Sequence, residues 1–231
     1  MKRIFSTLLA ASTTLPVVQA ELEDDIPLGI EAVTGVRSGY VYRGFELADT
    51  LMDFQLQTEV VLEGNLVLGA GGWFATETGD QFTQGAAFLS LRHDLHEQLA
   101  VEFTTSYQDF GGSLFEDGID LGGSLTWFPD EDWTLAAAVH QDLGPRGWYL
   151  ELQGGWSKRL ADDAYFSLTG GFSVVDHYYG RSGLNDFHGR AALTYNVNSM
   201  LSLTPFVGWS LEFADGDGSE VYGGLWFEVS F

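Results

Sequence analysis

From Leu28 to Phe231 the chain reads as segments of about ten residues separated by turn signals, most of them alternating apolar and polar residues with a period of two, although Gly and Ala dilute the contrast in 65–77 and 82–93. In segment 200–213, Leu201, Leu203, Pro205, Val207, Trp209, Leu211 and Phe213 share one face, and Ser202, Thr204, Phe206, Gly208, Ser210 and Glu212 share the other. Segment 147–159 sets Trp148, Leu150, Leu152, Gly154 and Trp156 against Tyr149, Glu151, Gln153, Gly155 and Ser157. Successive side chains of a strand point to opposite sides, so each segment predicts a strand between an apolar and a polar environment. No segment keeps a helical period.

The pattern predicts about twelve strands, each long enough to cross a bilayer when tilted. They fall near 29–43, 51–63, 65–77, 82–93, 98–109, 117–128, 132–143, 147–159, 164–176, 186–197, 200–213 and 219–231. The connections form two alternating sets, one short and one longer on average. This predicts an all-β fold, a transmembrane up-and-down antiparallel barrel with short periplasmic turns and longer outer loops. None of the outer loops is expected to be long enough for a substantial plug or lid.

A soluble sandwich or lipocalin-like barrel would also alternate. Three features favour the membrane. Aromatic residues gather near segment ends, and Tyr40, Tyr42, Trp127, Trp133, Trp148, Trp156, Tyr165 and Tyr178 are expected to form interfacial belts. Lysine, which guards exposed sheet edges, is nearly absent, and a closed barrel has no edge to guard. Glycine pairs inside strands suit curvature and packing beside large rings.

Residues 1–20, MKRIFSTLLAASTTLPVVQA, have the layout of a secretory signal peptide: Lys2 and Arg3, an apolar run, then Val18-Gln19-Ala20. The division is therefore a leader over 1–20 and an outer-membrane barrel over 21–231, exported to the outer membrane of a Gram-negative bacterium. The expected surroundings are outer-membrane lipid, with small solutes as the transported partners. The 231 residues contain no cysteine, so no disulfide staples the fold. Net charge is −23, which argues against nucleic acid as a partner and favours cations near the protein.

The phase assigns Glu31, Arg37, Arg43, Glu59, Glu102, Asp120, His140, Glu151, Arg190, Glu212 and Glu228 to the lumen, with His188 beside them. Facing lipid, each charge would cost several kcal/mol near the midplane. Inside, they could form an eyelet that selects small solutes by charge, or a salt-bridged network that conducts little. The expected function is a narrow porin for cationic or neutral small solutes. The competing classes are a non-conducting outer-membrane scaffold that binds an envelope partner and a lipid-modifying enzyme of the outer membrane.

Catalysis and cofactors gain little support. His93, His96, His140, His177 and His188 show no catalytic arrangement with serine, and paired lumen carboxylates such as Glu212 and Glu228 are commonly parts of charge networks. No metal or cofactor site is expected. His93 and His96 flank a turn without visible partner ligands, and Asp215 to Glu220 has calcium-like acid spacing but is too short for a twelve-residue loop.

The last strand places Phe227, Val229 and Phe231 on one face. This ending resembles the signal by which bacterial outer-membrane proteins are recognised for assembly, which implies the barrel-assembly machinery as a partner. The stretch TGVRSGYVYRGFELADTLMDF from Thr34 resembles the opening of the TorF-like porin family through Ser38, Tyr40, Val41, Tyr42, Arg43, Gly44, Ala48 and Asp49. Its Tyr-Val-Tyr-Arg-Gly run is also similar to MipA/OmpV-type scaffold barrels. The usual Gly-x-Pro-Ala continuation has no match after Asp49. Either resemblance implies an outer-membrane barrel without catalytic residues. Tyr40 and Tyr42 are expected at the outer interface, with Arg43 turning inward to pair with Glu59 or a neighbouring carboxylate.

Overall fold

The computed structural model describes residues 28–79, 82–111, 115–213 and 218–231. The leader assigned to 1–20 lies outside the described residues, as do Asp215, Gly216 and Asp217. Fourteen strands follow in chain order: β1 (Leu28–Arg37), β2 (Tyr40–Tyr42), β3 (Phe45–Ala48), β4 (Leu51–Leu62), β5 (Leu66–Glu77), β6 (Thr83–His96), β7 (Leu99–Gly111), β8 (Gly118–Trp127), β9 (Trp133–Asp142), β10 (Gly147–Ala161), β11 (Ala164–Tyr178), β12 (Arg181–Asn196), β13 (Leu201–Glu212) and β14 (Glu220–Ser230).

Twelve of them close a barrel in the order β1-β14-β13-β12-β11-β10-β9-β8-β7-β6-β5-β4, every neighbour antiparallel. The closing seam pairs β1 with β14, with Thr34 opposite Phe227 and Glu31 opposite Ser230. Phe231 donates its N–H to the Ile30 carbonyl at 2.9 Å, so pairing runs to the last residue. Closure leaves none of the twelve barrel strands with an open edge.

The near end of the barrel, where β1 begins and β14 finishes, carries the short turns. Two are set by side chains. Asp130 Oδ1 accepts the N–H groups of Asp132 and Trp133 at 2.9 and 3.1 Å, and Asn198 Oδ1 accepts those of Met200 and Leu201 at 2.8 and 2.9 Å. The far end carries the longer connections.

Outward positions are apolar all round: Phe54, Leu56, Phe74, Leu89, Phe103, Leu125, Leu150, Leu168, Leu193 and Val207 are all exposed. Monomers in water do not present a continuous apolar band of this extent, and a bilayer-spanning barrel requires one. Inward positions are polar or small, and many are buried, among them Asp53, Gln57, Ser90, Ser106, Thr126, Ser167 and Thr194.

The first segment departs from expectation. It does not run to residue 43. β1 ends at Arg37, and β2 and β3 form a separate two-stranded sheet. Arg43 and Gly44 join them with φ of 49° and 80°, the positive pair that a two-residue hairpin turn requires. Tyr40, Val41 and Tyr42 are all buried, so this hairpin has no lipid face. It folds into the far half of the lumen. The expectation that no outer loop could form a plug is therefore corrected: the hairpin draws on the end of the first segment as well as the loop after it.

Candidate functional site: the lumen and its internal hairpin

The hairpin is held by rings first. Tyr40 packs against Trp73 and Phe82 at 5.6 and 6.0 Å. Tyr42 packs against Phe110 and Phe115 at 5.4 and 5.9 Å, and Phe45 against Phe115 and Tyr178 at 5.2 and 6.1 Å. Phe115 in turn lies 4.1 Å from Tyr179, so two far-end connections close over the hairpin.

Polar contacts then fix its register. Arg43 Nη1 lies 2.8 Å from Asp120 Oδ2 and donates to the Tyr178 hydroxyl at 3.2 Å. The other Asp120 oxygen is 2.8 Å from His140 Nδ1. Tyr40 donates to Gln84 Oε1 at 2.9 Å, and Gln84 donates to Gln108 at 3.0 Å. Asn185 Nδ2 donates to the Arg43 carbonyl at 2.9 Å, and Arg181 Nη1 to the Gly44 carbonyl at 3.1 Å. Arg181 also lies over the Phe45 ring at 3.7 Å and pairs with Glu212. Gly44 is required twice over: its φ is positive, and a Cβ there would meet Asn185 Nδ2 at 2.5 Å.

The structure places the sequence-selected charges as follows. Arg43, Asp120 and His140 meet at the hairpin tip, and Arg37 pairs with Asp53 beneath it. The partner of Arg43 is thus a neighbouring carboxylate, Asp120. Glu151 is bridged by His188 Nε2 at 2.7 Å, while His188 Nδ1 lies 3.1 Å from Asp186. Glu212 joins Arg181 at the far end. Glu31, Glu102 and Glu228 are buried on the inward phase of the near half, where Gln57 donates to Glu31 at 3.1 Å. Glu59 shares that phase on β4. Arg190 faces the lumen on β12 against the stacked rings of Phe206 and Trp226.

Several aromatic assignments change. Tyr40, Tyr42 and Tyr178 are at most 1% exposed and line the lumen, not the lipid. For Tyr178 the reason is a register shift in β11 between Val175 and Tyr178, where His177 has a φ of 52°. The extra residue flips Tyr178 from the outward phase to the inward one. Tyr165 shares the inward phase of Ser167 and sits 5.9 Å from the Arg159 guanidinium at the near rim. Trp127, Trp133 and Trp148 stand outward and exposed near strand ends. Trp156 is half-buried on the outward phase, 6.1 Å from Phe166. Tyr107 and Tyr195 are exposed outward as well, and their end-of-strand positions were a readable signal that sequence analysis passed over.

Asp53, Asp142, Asn185, Asp186 and Arg181 were also passed over. Asp53, Asp142 and Asp186 follow the inward alternation and could have been read from it. Asn185 could not: a second register shift, between Phe172 and Val174, puts it inward beside Asp186. No group of three or more possible metal ligands occurs among the described residues. Ser173 bonds Asp186, but Asp186 separates it from His188, so the trio presents no nucleophile beside a base.

Fold and lumen together define the class: a closed twelve-stranded antiparallel barrel of the outer-membrane porin type. An outer-membrane channel from Pseudomonas putida F1 superposes with a TM-score of 0.61 at 13% identity, over 95% of this chain and 100% of that one. The KdgM porin gives 0.57 at 10% identity, over 88% and 99%, and the NanC porin 0.56 at 12%, over 87% and 98%. One KdgM structure is described as a complex with disordered oligogalacturonate. At these identities the likeness is one of fold. No protein-family model and no curated protein sequence matches the chain.

Proposed function

We propose that the chain is an outer-membrane channel for small solutes, with its near end in the periplasm and its far end outside the cell. One observation carries this reading: an apolar girdle surrounds a lumen lined by hydrogen-bonding and charged groups, in a barrel wider than the eight-stranded kind that side chains just fill. The fold shared with porins supports it. Glu31, Glu59, Glu102 and Glu228 would make the periplasmic half cation-preferring, and membership of the TorF-like family would fit the Ser38-to-Asp49 motif that builds the hairpin. Export by a cleaved leader, insertion by the barrel-assembly machinery through Phe227, Val229 and Phe231, and aromatic belts at Trp127, Trp133 and Trp148 complete the proposal.

A second reading is favoured by a specific observation. The hairpin and the pairs Arg37–Asp53, Arg43–Asp120 and Arg181–Glu212 narrow the far half, as a non-conducting MipA/OmpV-like scaffold would require. Planar-bilayer recording of the refolded chain under a salt gradient separates the two. Discrete steps with a cation-selective reversal potential support the channel. A folded barrel that passes no current supports the scaffold.

A further inference from the structure

Five arginines among the described residues of the barrel have carboxylate partners, one of them Arg159, with Asp162 at 2.9 Å on the near rim. Arg37 is paired with Asp53, Arg43 with Asp120, Arg181 with Glu212, and Arg92 with Asp94 at 3.2 Å. Arg190 differs. It is 7% exposed, its Nη2 has no hydrogen-bond partner, and no carboxylate among the described residues forms an ion pair with it. A buried guanidinium left unpaired is costly, so a ligand that supplies the missing acceptor gains that penalty back.

The setting is built for such a ligand. Arg190 lies 4.8 Å over the Trp226 ring and 5.9 Å from that of Phe206, and those two rings stack at 3.8 Å. The stacked rings pack against the guanidinium. Arg190 borders a small pocket beneath the hairpin, with His188, Ser210 and Tyr222 on its walls. The nearby acids are already engaged. Glu151 is held by His188, and Asp186 by His188, Ser173 and Ser210. Among the described residues, the positive charge of Arg190 is the one left without a carboxylate in that wall.

We propose that Arg190 anchors a binding site for small monocarboxylates that carry a ring. The planar fork of a guanidinium matches a carboxylate through two parallel N–H donors. A single free guanidinium among acidic neighbours favours a monoanion over a phosphate dianion. The Tyr222 ring, 6.4 Å from Phe206 and edge-on to it, offers a surface for the ring of the solute. The proposal rests on the channel reading for how the solute reaches the lumen, but not for whether it binds.

Calorimetric titration of the refolded protein in detergent, in chloride-free buffer, compares benzoate with its neutral isostere benzamide. Wild type is expected to bind benzoate and to bind benzamide about tenfold more weakly or not at all. Arg190→Gln is expected to lose that difference, and Arg190→Lys to keep part of it. Equal affinity for the two probes, no binding of either, or a difference that survives Arg190→Gln overturns the site. The wild-type comparison stands even if Arg190→Gln does not fold. A protein that discriminates the probes but passes no current keeps the site and loses the channel; a conducting protein indifferent to charge does the reverse.

Discussion

Asp120, on the wall of the barrel, accepts a hydrogen bond from Arg43, at the tip of the internal hairpin, 2.8 Å apart and both buried. The two are far apart in sequence, and their contact ties the motif that begins at Ser38 to the opposite wall. Breaking a buried pair by removing one partner costs about 3–5 kcal/mol, because the other charge is left uncompensated. Asp120→Asn should therefore loosen the hairpin and raise open-channel noise and mean conductance, while the barrel keeps its heat-modifiable mobility on gels. Unchanged noise would mean that the rings and the remaining hydrogen bonds, such as Asn185 to the Arg43 carbonyl, hold the hairpin without this pair.

Gly44 gives a backbone test of the same element. A side chain there meets a positive φ of 80° and a contact of 2.5 Å with Asn185. Gly44→Val should destabilise the closed hairpin by about 1–3 kcal/mol and open the Arg43–Gly44 turn to added trypsin. Resistance equal to wild type would place the turn elsewhere.

Acidity should favour closure. Partial burial, and then the adjacent Glu220 carboxylate, hold the Glu46 carboxyl above its usual range. A raised carboxyl binds its proton more tightly with the hairpin in place, so this contribution is complete in acid and lost as pH rises above 4.5 through the shifted value. Conductance should fall on acidification, and Glu46→Gln should flatten that dependence. A profile identical in wild type and variant would remove Glu46 from the account.

The two faces of β10 predict opposite responses. Leu152 is exposed on the outward phase in mid-strand, and Gln153 is on the inward phase. Leu152→Arg should cost about 2–4 kcal/mol of folding stability in lipid vesicles, and Gln153→Arg much less. Equal losses would contradict the assignment of faces.

Most of the barrel was legible because alternation and turn chemistry agree over β4 and β7 to β14, each strand standing between lipid and a polar lumen, while Gly and Ala dilute the contrast in β5 and β6. The hairpin was not, because Tyr40, Val41 and Tyr42 are covered on both faces and leave no contrast for the pattern to record. The break at Ser38-Gly39 and the Arg43-Gly44 turn were present in the sequence, but the apolar run across them read as one strand. Tyr178 was misplaced for a related reason: a bulge at Asp176-His177 shifts the phase, and alternation carries no mark of it. The inward charges were recoverable one by one. Which of them pair, and that Arg190 has no carboxylate partner among the described residues, depend on distances across the lumen that a period of two does not encode.

The central claim is a channel narrowed by its own hairpin. Single-channel recording tests it most directly, with the wild type and a variant whose residues 40–48 are replaced by a short Gly-Ser link, side by side in a planar bilayer. The account predicts discrete, cation-selective steps in the wild type and larger steps in the variant. Silence from both folded barrels, or equal conductance in the two, would contradict it.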